Sequence, residues 1–202
     1  MSFILTLVRH GESEANVRHM LSGWMDVDLT EHGKEELQAL RNSVDYPESD
    51  IYFSSPLRRC IETEHILFPD KIPIISDSFK EINFRSMEGH ILPAKKDIDD
   101  YFASWVKDEP HMDEETLSDV KKRGAEAILS TVKDCSERNL HSALIVMHSG
   151  IMRSIIVALF NLEREAFLEM TVPNGLGYII EFDDSLSPVS YRKLMRFSEY
   201  SM

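Results

Sequence analysis

The sequence predicts an α/β fold, a three-layer α/β/α sandwich with a mostly parallel central sheet and a small helical insertion. Two observations predict it. Short apolar runs alternate along the chain with segments whose apolar residues recur at helical spacing. In addition, 202 residues with 43% hydrophobic content are enough to bury one substantial core. Because we find no internal repeat, low-complexity tract or flexible linker, we expect one domain over residues 1–202.

The first half of the chain carries two strand-then-helix pairs. Residues 3–8 predict a buried strand, and residues 50–53 predict a second, shorter one. Thr30 is a typical N-cap for a helix that runs to about residue 41. Ser55 and Pro56 supply a cap and a first-turn proline for a helix that ends near residue 67. That helix would begin directly where a strand ends.

The second half continues the alternation. A helix, the most convincing central strand, a further helix and two closing strands are predicted, in that order, at residues 116–137, 143–147, 151–160, 177–182 and 189–194. Residues 90–115 fit no core strand and are rich in charges, with Tyr101, Phe102 and Trp105 interleaved. We interpret this stretch as a helical insertion over the site.

The charge balance limits which partners to expect. The net charge is −13 at pH 7, whereas phosphate backbones and anionic lipid surfaces are bound through clustered Lys and Arg. We therefore expect neither nucleic acid nor a membrane as a partner. A small anionic metabolite is still compatible with an acidic chain, because a few arginines can dominate the potential of one cleft when exposed charges are screened beyond about 8 Å.

The N-terminal run and the cysteines indicate the cytoplasm. The apolar run at residues 1–8 has no basic opening segment and stops at Arg9 and His10, too soon for a signal peptide or a membrane span. Cys60 and Cys135 have no metal-like spacing, and without an export signal we expect free thiols rather than a disulfide. We therefore predict a cytoplasmic protein.

Candidate chemistry lies where predicted strands end, because ligands of open α/β sheets bind beyond the carboxyl ends of the strands. His10 follows the first strand, and His148 follows the central strand. Arg9 is adjacent to His10, and Arg59 falls in the first turns of the helix after residue 55. Planar guanidinium groups suit the oxygens of a phosphoryl group. Spacing alone does not choose between Arg58 and Arg59.

Six blocks of sequence follow one another between about residue 5 and residue 182. They are Arg9-His10-Gly11-Glu12-Ser13 with Asn16, Ser22-Gly23-Trp24-Met25-Asp26 leading to Asp28-Leu29-Thr30-Glu31-His32-Gly33, Ser55-Pro56-Leu57-Arg58-Arg59, Glu81-Ile82-Asn83-Phe84 with Glu88-Gly89, Glu115-Thr116 with Asp119-Val120 and Arg123, and Val146-Met147-His148-Ser149-Gly150 with Arg153. Together they resemble the histidine phosphatase superfamily, in its phosphoglycerate mutase-like branch. Chance agreement of that extent is negligible.

The resemblance implies a metal-independent phosphatase that hydrolyses a small phosphorylated metabolite. His10 would attack phosphorus to give a phosphohistidine, with Arg59 rather than Arg58 as the phosphate ligand. Arg9, Arg59 and His148 would hold the phosphoryl oxygens and offset charge in the transition state. The two arginines would also lower the pKa of His10, since they penalise a further positive charge. No metal or other cofactor is required by these roles.

The resemblance also implies one carboxyl group that acts first as acid and then as base. Glu81 is the first choice and Glu88 the second. The acid must hold a proton near neutral pH, and apolar neighbours such as Ile82 or Phe84 would favour that.

Four further residues match the family's phosphate or substrate contacts. These are Asn16, Ser22, Gly23 and Ser149. For Gly23, we expect the missing side chain to let the backbone approach the ligand. Ser149 would contribute a backbone N–H at the start of its helix.

The acid-bearing block departs from the family pattern. Where the family has a glycine and then a tryptophan before Glu-Gly, this chain has Arg85 and Met87. The pocket wall beside Glu81 is therefore expected to differ, and Arg85 is either a substrate contact or a solvated side chain.

Other phosphatase classes fit less well. Asp26 stands in a pattern typical of aspartate-nucleophile phosphatases of the haloacid dehalogenase type, with Asp183 and Asp184 as a mimic of the magnesium-binding pair. The residues before Asp26 do not form the buried strand that such a nucleophile should end. A cysteine nucleophile is excluded, because neither Cys60 nor Cys135 has an arginine six residues later.

Two readings from other classes stay open. The first is a phosphoglycerate mutase, which moves phosphate between hydroxyls; against it, mutases of the family are expected to carry a longer insertion and tail. The second is a non-catalytic module that binds phosphorylated ligands. Against that reading stands a complete set of nucleophile, acid and phosphate ligands.

Overall fold

The computed structural model describes residues 2–197, so Met1 and residues 198–202, the two ends of the predicted domain, lie outside the described residues. In chain order the elements are β1 (Phe3–Arg9), α1 (Glu14–Val17), α2 (Glu31–Arg41), β2 (Ile51–Ser54), α3 (Arg58–Leu67), β3 (Ile74–Ile75), α4 (Lys95–Trp105), α5 (Leu117–Glu137), β4 (Ser142–Met147), α6 (Ser149–Leu159), α7 (Ala166–Glu169), β5 (Gly177–Phe182) and β6 (Pro188–Leu194). Short 3-10 turns occupy Asp77–Phe79 and Arg85–Met87.

In the part of the chain that the structure describes, one mixed sheet of six strands forms the centre of the fold, in the order β3-β2-β4-β1-β5-β6. The first four are mutually parallel, whereas β5 pairs antiparallel with β1 and β6 pairs antiparallel with β5. Arg9 pairs with Met147, and Ser54 pairs with Val146. The carboxyl ends of β1, β4 and β2 therefore meet at one edge of the sheet, and the predicted fold class is confirmed.

Alternation along the strands separates two apolar clusters. Leu5 and Leu7 of β1 belong to the cluster beneath α5 and α6, whereas Val8 belongs to the one beneath α2 and α3. In β4 the apolar run from residue 143 to residue 147 is fully buried on both faces, as expected for a central parallel strand. Helices thus cover both faces of the sheet.

The N-termini of α2 and α3 can be compared with the predicted caps. The Thr30 hydroxyl accepts a hydrogen bond from the Gly33 N–H at 2.9 Å, as predicted. The Ser55–Pro56 cap is wrong, because α3 begins at Arg58 and has no side-chain cap from its own sequence. The Arg58 N–H instead donates to the carboxylate of Asp26 at 2.8 Å, so a residue from a distant loop satisfies the helix start.

Residues 90–115 contribute no strand to the sheet, as predicted, and contain α4. Tyr101 and Trp105 anchor this segment in the core beneath α5 and α6. The Trp105 indole N–H also donates to the Glu115 carbonyl at 2.7 Å. None of the helices within residues 2–197 is both long and apolar enough to cross a membrane.

Glu64 of α3 is fully buried, and within residues 2–197 neither of its carboxylate oxygens has a hydrogen-bond partner. Burial raises the pKa of Glu64 to about 7 from an ordinary value of 4.5. The folded chain therefore binds the proton more tightly than the unfolded chain does. The stabilisation that this proton provides is complete at pH values below the pKa of Glu64 in the unfolded chain. It is lost as the pH rises towards the pKa of Glu64 in the folded chain.

We expect Glu64→Gln to raise the free energy of unfolding at pH 8 by up to about 3 kcal/mol and to have little effect near pH 4.5. Urea unfolding of both proteins at the two pH values measures this difference. Glu35→Gln, which removes an exposed carboxylate from α2, is the control and should stay within about 0.5 kcal/mol of the parent at both. A pH-independent difference for Glu64→Gln would contradict a buried, titrating carboxyl.

Candidate active site

The two predicted histidines lie side by side at the carboxyl edge of the sheet. His10 directly follows β1, and its backbone N–H donates to the Met147 carbonyl at 3.0 Å, which extends the strand pairing by one residue. His148 directly follows β4. The two ring centroids are 5.2 Å apart, with His10 5% exposed and His148 fully buried.

The His10 ring is held in one tautomer. Its Nδ1 lies 2.7 Å from the Gly11 carbonyl oxygen, which can only accept, so Nδ1 donates and Nε2 carries the lone pair of the neutral ring. Burial lowers the pKa of His10 well below its usual value, and the charges of Arg59 and Arg9 lower it further. The ring is therefore neutral at physiological pH, which is the form a nucleophile needs.

Arg59, not Arg58, is the inward arginine. Arg59 is 1% exposed, and its Nη groups donate to the main-chain carbonyls of Ser22, Gly23 and Met25 at 2.8–3.2 Å. Arg58 is exposed and forms ion pairs with carboxylates on the loop before α2. Burial therefore decides between Arg58 and Arg59, which sequence spacing could not do. The hydrogen bonds of Arg59 also fix the loop of residues 22–25.

His148 is held by protein groups at both ring nitrogens. Its Nδ1 accepts from the Arg59 Nε–H at 3.2 Å, so Nε2 carries the proton and donates to the Ser55 hydroxyl at 2.8 Å. The Cys60 thiol lies 3.4 Å from Nε2. Burial and the charge of Arg59 lower the pKa of His148 well below its usual value. The hydroxyl predicted as a helix cap therefore orients the second histidine.

Arg9 approaches the same region from the end of β1. One Nη donates to the Val172 carbonyl at 2.5 Å, while the buried Nε has no partner within residues 2–197. Burial lowers the pKa of Arg9 to about 10, and the nearby charge of Arg153 contributes to the same direction. The side chain is still charged at neutral pH and has a donor to offer.

Glu81 and Glu88 have different surroundings. The Glu81 carboxylate accepts three backbone N–H groups, from Ile82 and Ile151 at Oε1 and from Gly150 at Oε2, at 2.7–3.0 Å. These partners, rather than apolar side chains, hold the carboxylate beside the start of α6. Glu88 accepts four backbone N–H groups of residues 23–25 and 84 and thereby anchors a loop.

A cavity of about 540 Å³ opens at this edge of the sheet. Arg9, His10, Glu81 and Arg153 are among its lining residues, whereas Glu88 is not. Its other walls are mostly apolar, and they include Leu92, Ile98 and Phe102 from the predicted insertion together with residues 170–173. Arg59 and His148 lie behind His10 rather than on the cavity wall.

The four softer candidates divide into two groups. Asn16, Ser22 and Ser149 line the cavity, and Ser149 is the first residue of α6, as expected for a helix-start contact. Gly23 does not line it. A Cβ at Gly23 would lie 1.7 Å from the Ile82 carbonyl oxygen, so the missing side chain serves a close approach of two loops and not of a ligand.

The departures in the acid-bearing block have structural consequences. Arg85 has φ of +45°, a left-handed conformation that suits the glycine found there in the family. The Arg85 side chain is exposed and does not line the cavity, so the structure supports a solvated side chain rather than a substrate contact. Met87 is partly buried against the core cluster that contains Phe84.

Arg153 was not predicted as a site residue from the sequence. It lies one turn beyond Ser149 on α6, so the two side chains share a helix face, and both line the cavity. That i, i+4 relation to a predicted contact residue was the signal that could have found it. Ser55 and Asn174, whose amide donates to the His10 carbonyl at 2.9 Å, were also not predicted in these positions.

The aspartate-nucleophile alternative is contradicted by topology. Asp26 lies in a loop and accepts hydrogen bonds from Arg58. Asp183 and Asp184 follow Phe182, which pairs with Phe3 at the start of β1. They therefore lie at the opposite edge of the sheet from the carboxyl end of β1 and cannot form one site with residues there.

Comparison with known proteins agrees with the predicted resemblance. The model of the histidine phosphatase superfamily (branch 1) matches residues 5–190. A 2,3-bisphosphoglycerate-dependent phosphoglycerate mutase of Parvibaculum lavamentivorans is 27% identical over 201 residues, covering 91% of this chain and 92% of the mutase.

Two solved structures share the fold. Bacillus stearothermophilus YhfR superposes with a TM-score of 0.77 at 24% identity, covering 93% of this chain and 94% of YhfR. A phosphoserine phosphatase from Entamoeba histolytica, in complex with 3-phosphoglyceric acid, gives a TM-score of 0.73 at 23% identity over 96% of each chain.

We expect both site histidines to stay neutral from pH 8 to well below pH 6.5, His10 as the Nδ1–H tautomer and His148 as the Nε2–H tautomer. Long-range ¹⁵N–¹H correlation spectra, assigned with His10→Asn and His148→Asn, measure both properties. Because the pKa of each is lower in the folded chain, stability should fall below pH 6.5 by about 1.4 kcal/mol per pH unit per histidine. Titration of either ring near the midpoint seen for the urea-unfolded chain would contradict the geometry.

Proposed function

This chain belongs to the histidine phosphatase superfamily, branch 1, and from that premise we propose that it hydrolyses small-molecule phosphomonoesters through a phosphohistidine at His10, without a metal ion. One observation carries the proposal. The buried His10 ring lines the cavity in its neutral form, with Nε2 unprotonated and the charges of Arg59 and Arg9 near enough to lower its pKa. We further propose a cytoplasmic location, with Cys60 and Cys135 as buried free thiols.

The first step transfers the phosphoryl group to the protein. The lone pair of His10 Nε2 forms a bond to phosphorus while the bond from phosphorus to the ester oxygen breaks. Arg9 holds the phosphoryl oxygens, while Arg59, which lies behind His10, adds positive charge and is kept in place by His148 Nδ1. Asn16, Ser22 and Ser149 supply further polar contacts, and Gly23 keeps its loop close to Ile82. The work of these groups is positioning and charge stabilisation.

Glu81 supplies the proton for the leaving oxygen. Its Oε1 already accepts two N–H groups, whereas Oε2 accepts one, so Oε2 is the oxygen with a lone pair left for a proton. In the second step the resulting carboxylate takes a proton from water as the water oxygen attacks phosphorus and His10 leaves.

Phosphoryl transfer between hydroxyls, as in a mutase, is the second candidate, because a named relative is a phosphoglycerate mutase. The predicted difference in length does not separate the two, since the chain covers 92% of that mutase. The cavity wall favours hydrolysis. The insertion presents Leu92, Ile98 and Phe102 to the cavity, while Lys95 and Lys96 are exposed and pair with aspartates on their own helix. A bisphosphoglycerate therefore gains no cation from the insertion.

The third candidate, a binding module without turnover, is disfavoured by the presence of Glu81 in the cavity. A pocket that only binds phosphate gains nothing from a carboxylate held beside the anion, because the two charges repel. Glu81 is the one acidic side chain among the described residues that line the cavity.

We expect His10→Ala to lower kcat/KM for p-nitrophenyl phosphate by roughly 10⁴-fold or more, because the nucleophile is lost. The parent activity should persist in excess chelator. Acid-labile ³²P should appear on the parent protein after rapid mixing with labelled substrate and be absent from the variant. His65→Ala, an exposed histidine of α3, is the matched control. Activity abolished by chelator and spared in His10→Ala would refute the phosphohistidine.

We expect Glu81→Gln to lower kcat for an alkyl phosphate by roughly 10²- to 10⁴-fold, because the poor leaving group needs the proton. With p-nitrophenyl phosphate, whose leaving group needs none, the variant should release a burst of nitrophenol and then stall as phosphoenzyme. Glu88→Gln tests the alternative acid. It should lower the melting temperature, since it loosens the loop of residues 23–25, and should show no burst. The reverse pattern would assign the acid to Glu88.

A further inference from the structure

Thr63 of α3 takes no part in the two proposed steps and does not line the cavity, yet it is fully buried beside the residue that follows His10. The Gly11 N–H donates to the Thr63 hydroxyl oxygen at 2.8 Å, although the two residues are 52 positions apart in the sequence. The same hydroxyl donates to the Arg59 carbonyl at 2.6 Å, one turn earlier on the helix. Thr63 therefore connects the helix that carries Arg59 to the loop after β1.

The two hydrogen bonds of Thr63 have fixed directions. A hydroxyl has one proton, and here that proton is used by the Arg59 carbonyl, which can only accept. A lone pair of the oxygen is then left for the Gly11 N–H, which can only donate. A helix threonine that bonds to the carbonyl four residues earlier is common and by itself indicates no site. The bond to Gly11 is different, because it acts outside the helix.

The peptide unit between His10 and Gly11 is held at both of its ends. Its carbonyl, which belongs to His10, accepts from the Asn174 amide at 2.9 Å. Its N–H, which belongs to Gly11, donates to Thr63. A Cβ at Gly11 would lie 2.6 Å from Cδ1 of Leu37, so α2 also packs closely against this residue. A rotation of the peptide plane would therefore break both hydrogen bonds.

Gly11 in turn holds the His10 ring. The Gly11 carbonyl accepts the Nδ1–H of His10 at 2.7 Å, and within residues 2–197 the ring has no other hydrogen bond. The tautomer of His10 therefore depends on this one contact. The N–H and the carbonyl of Gly11 belong to different peptide units, so Thr63 does not act on the carbonyl through backbone resonance. It acts by fixing the position of Gly11, from which the carbonyl reaches the ring.

One face of α3 contacts the surroundings of both site histidines. Arg59 and Thr63 are four residues apart, so their side chains lie on the same side of the helix. The Arg59 Nε–H donates to Nδ1 of His148 at 3.2 Å, whereas Thr63 holds Gly11 beside His10. The two rings have opposite tautomers, Nε2–H in His148 and Nδ1–H in His10, and the contacts that hold them begin at side chains one turn apart.

We propose that Thr63 is a positioning residue for His10: it holds Gly11 so that the Gly11 carbonyl keeps the ring in the Nδ1–H tautomer, with the lone pair on Nε2. The consequence for phosphoryl transfer rests on the proposed phosphatase function, whereas the effect on the ring does not. A ring protonated at Nε2 has no lone pair there and cannot attack phosphorus from that atom. Loss of the hydroxyl therefore lowers the fraction of protein that can react and leaves Arg9 free to bind the phosphoryl group as before.

Thr63→Val tests the proposal, because valine keeps the shape of threonine but has no hydroxyl. We expect long-range ¹⁵N–¹H spectra to show the Nε2–H tautomer of His10 beside the Nδ1–H form. We expect kcat for p-nitrophenyl phosphate to fall roughly 10-fold or more, with KM changed less than about 3-fold. Thr63→Ser, which keeps the hydroxyl, should retain the parent spectrum and most of the parent kcat. Thr131→Val is the matched control, since the Thr131 hydroxyl of α5 donates to the Ala127 carbonyl at 2.8 Å and, within residues 2–197, has no other hydrogen bond.

The outcomes separate positioning from folding and from the phosphatase function. An unchanged His10 spectrum or an unchanged kcat in a folded Thr63→Val protein would overturn the proposal, and so would a loss of kcat that Thr63→Ser shares. If thermal melting shows that Thr63→Val does not fold, Asn174→Ala releases the other end of the same peptide from a partly buried loop position, and a parent spectrum there would overturn it. If the parent shows no His10-dependent hydrolysis, the phosphatase proposal fails, and the tautomer spectra of Thr63→Val still decide whether Thr63 positions the ring.

Discussion

The parallel pairing of β1 with β4 is the constraint on which the site depends. Arg9 lies opposite Met147, so the next residue on each strand is a histidine and the two rings meet. Sheet geometry specifies this register strongly, because a slip by one residue would turn the buried face of a central strand towards the wrong layer. The hydrophobic pattern that builds the core therefore also sets the spacing of the two rings, and no separate device is needed to bring them together.

Three arginines near these rings are stabilised differently from the other charges of the chain. Arg123 forms a two-pronged ion pair with Glu115, with donor–acceptor distances of 2.7 and 2.8 Å. Arg9, Arg59 and Arg153 instead donate to main-chain carbonyls, and within residues 2–197 none has a carboxylate at ion-pair distance. Carbonyls satisfy hydrogen bonds but leave the net charge, which is costly at this depth. A bound anion recovers part of that free energy, so the same feature that weakens the empty fold strengthens binding.

The fold was largely predictable because it depends on periodicity. Strands such as β4 are continuous apolar runs, and α5 shows its period over 21 residues, so composition along the chain specifies them. The positions of the candidate site residues were predictable only where a sequence motif contains them, as for His10 and Arg9, which both line the cavity. Ser55 was misplaced because a serine before a proline is a good local cap, and only the tertiary structure shows that its hydroxyl is used by His148. The predicted role of Gly23 was wrong for a similar reason, since the carbonyl oxygen that lies close to it belongs to Ile82, about 60 residues away in the sequence.

The position of Glu81 and the wall of the cavity are linked through one chain of contacts. The Glu81 carbonyl accepts from the indole of Trp24 and from Arg123, so the loop that carries the acid is fixed by its backbone as well as by its carboxylate. Arg123 is oriented by Glu115, whose own carbonyl accepts from Trp105 at the end of α4. That helix also supplies apolar side chains to the cavity wall. A change in α4 that reshapes the wall therefore also acts on the hydrogen bonds that hold Glu81, so specificity and proton transfer are coupled in the proposed mechanism.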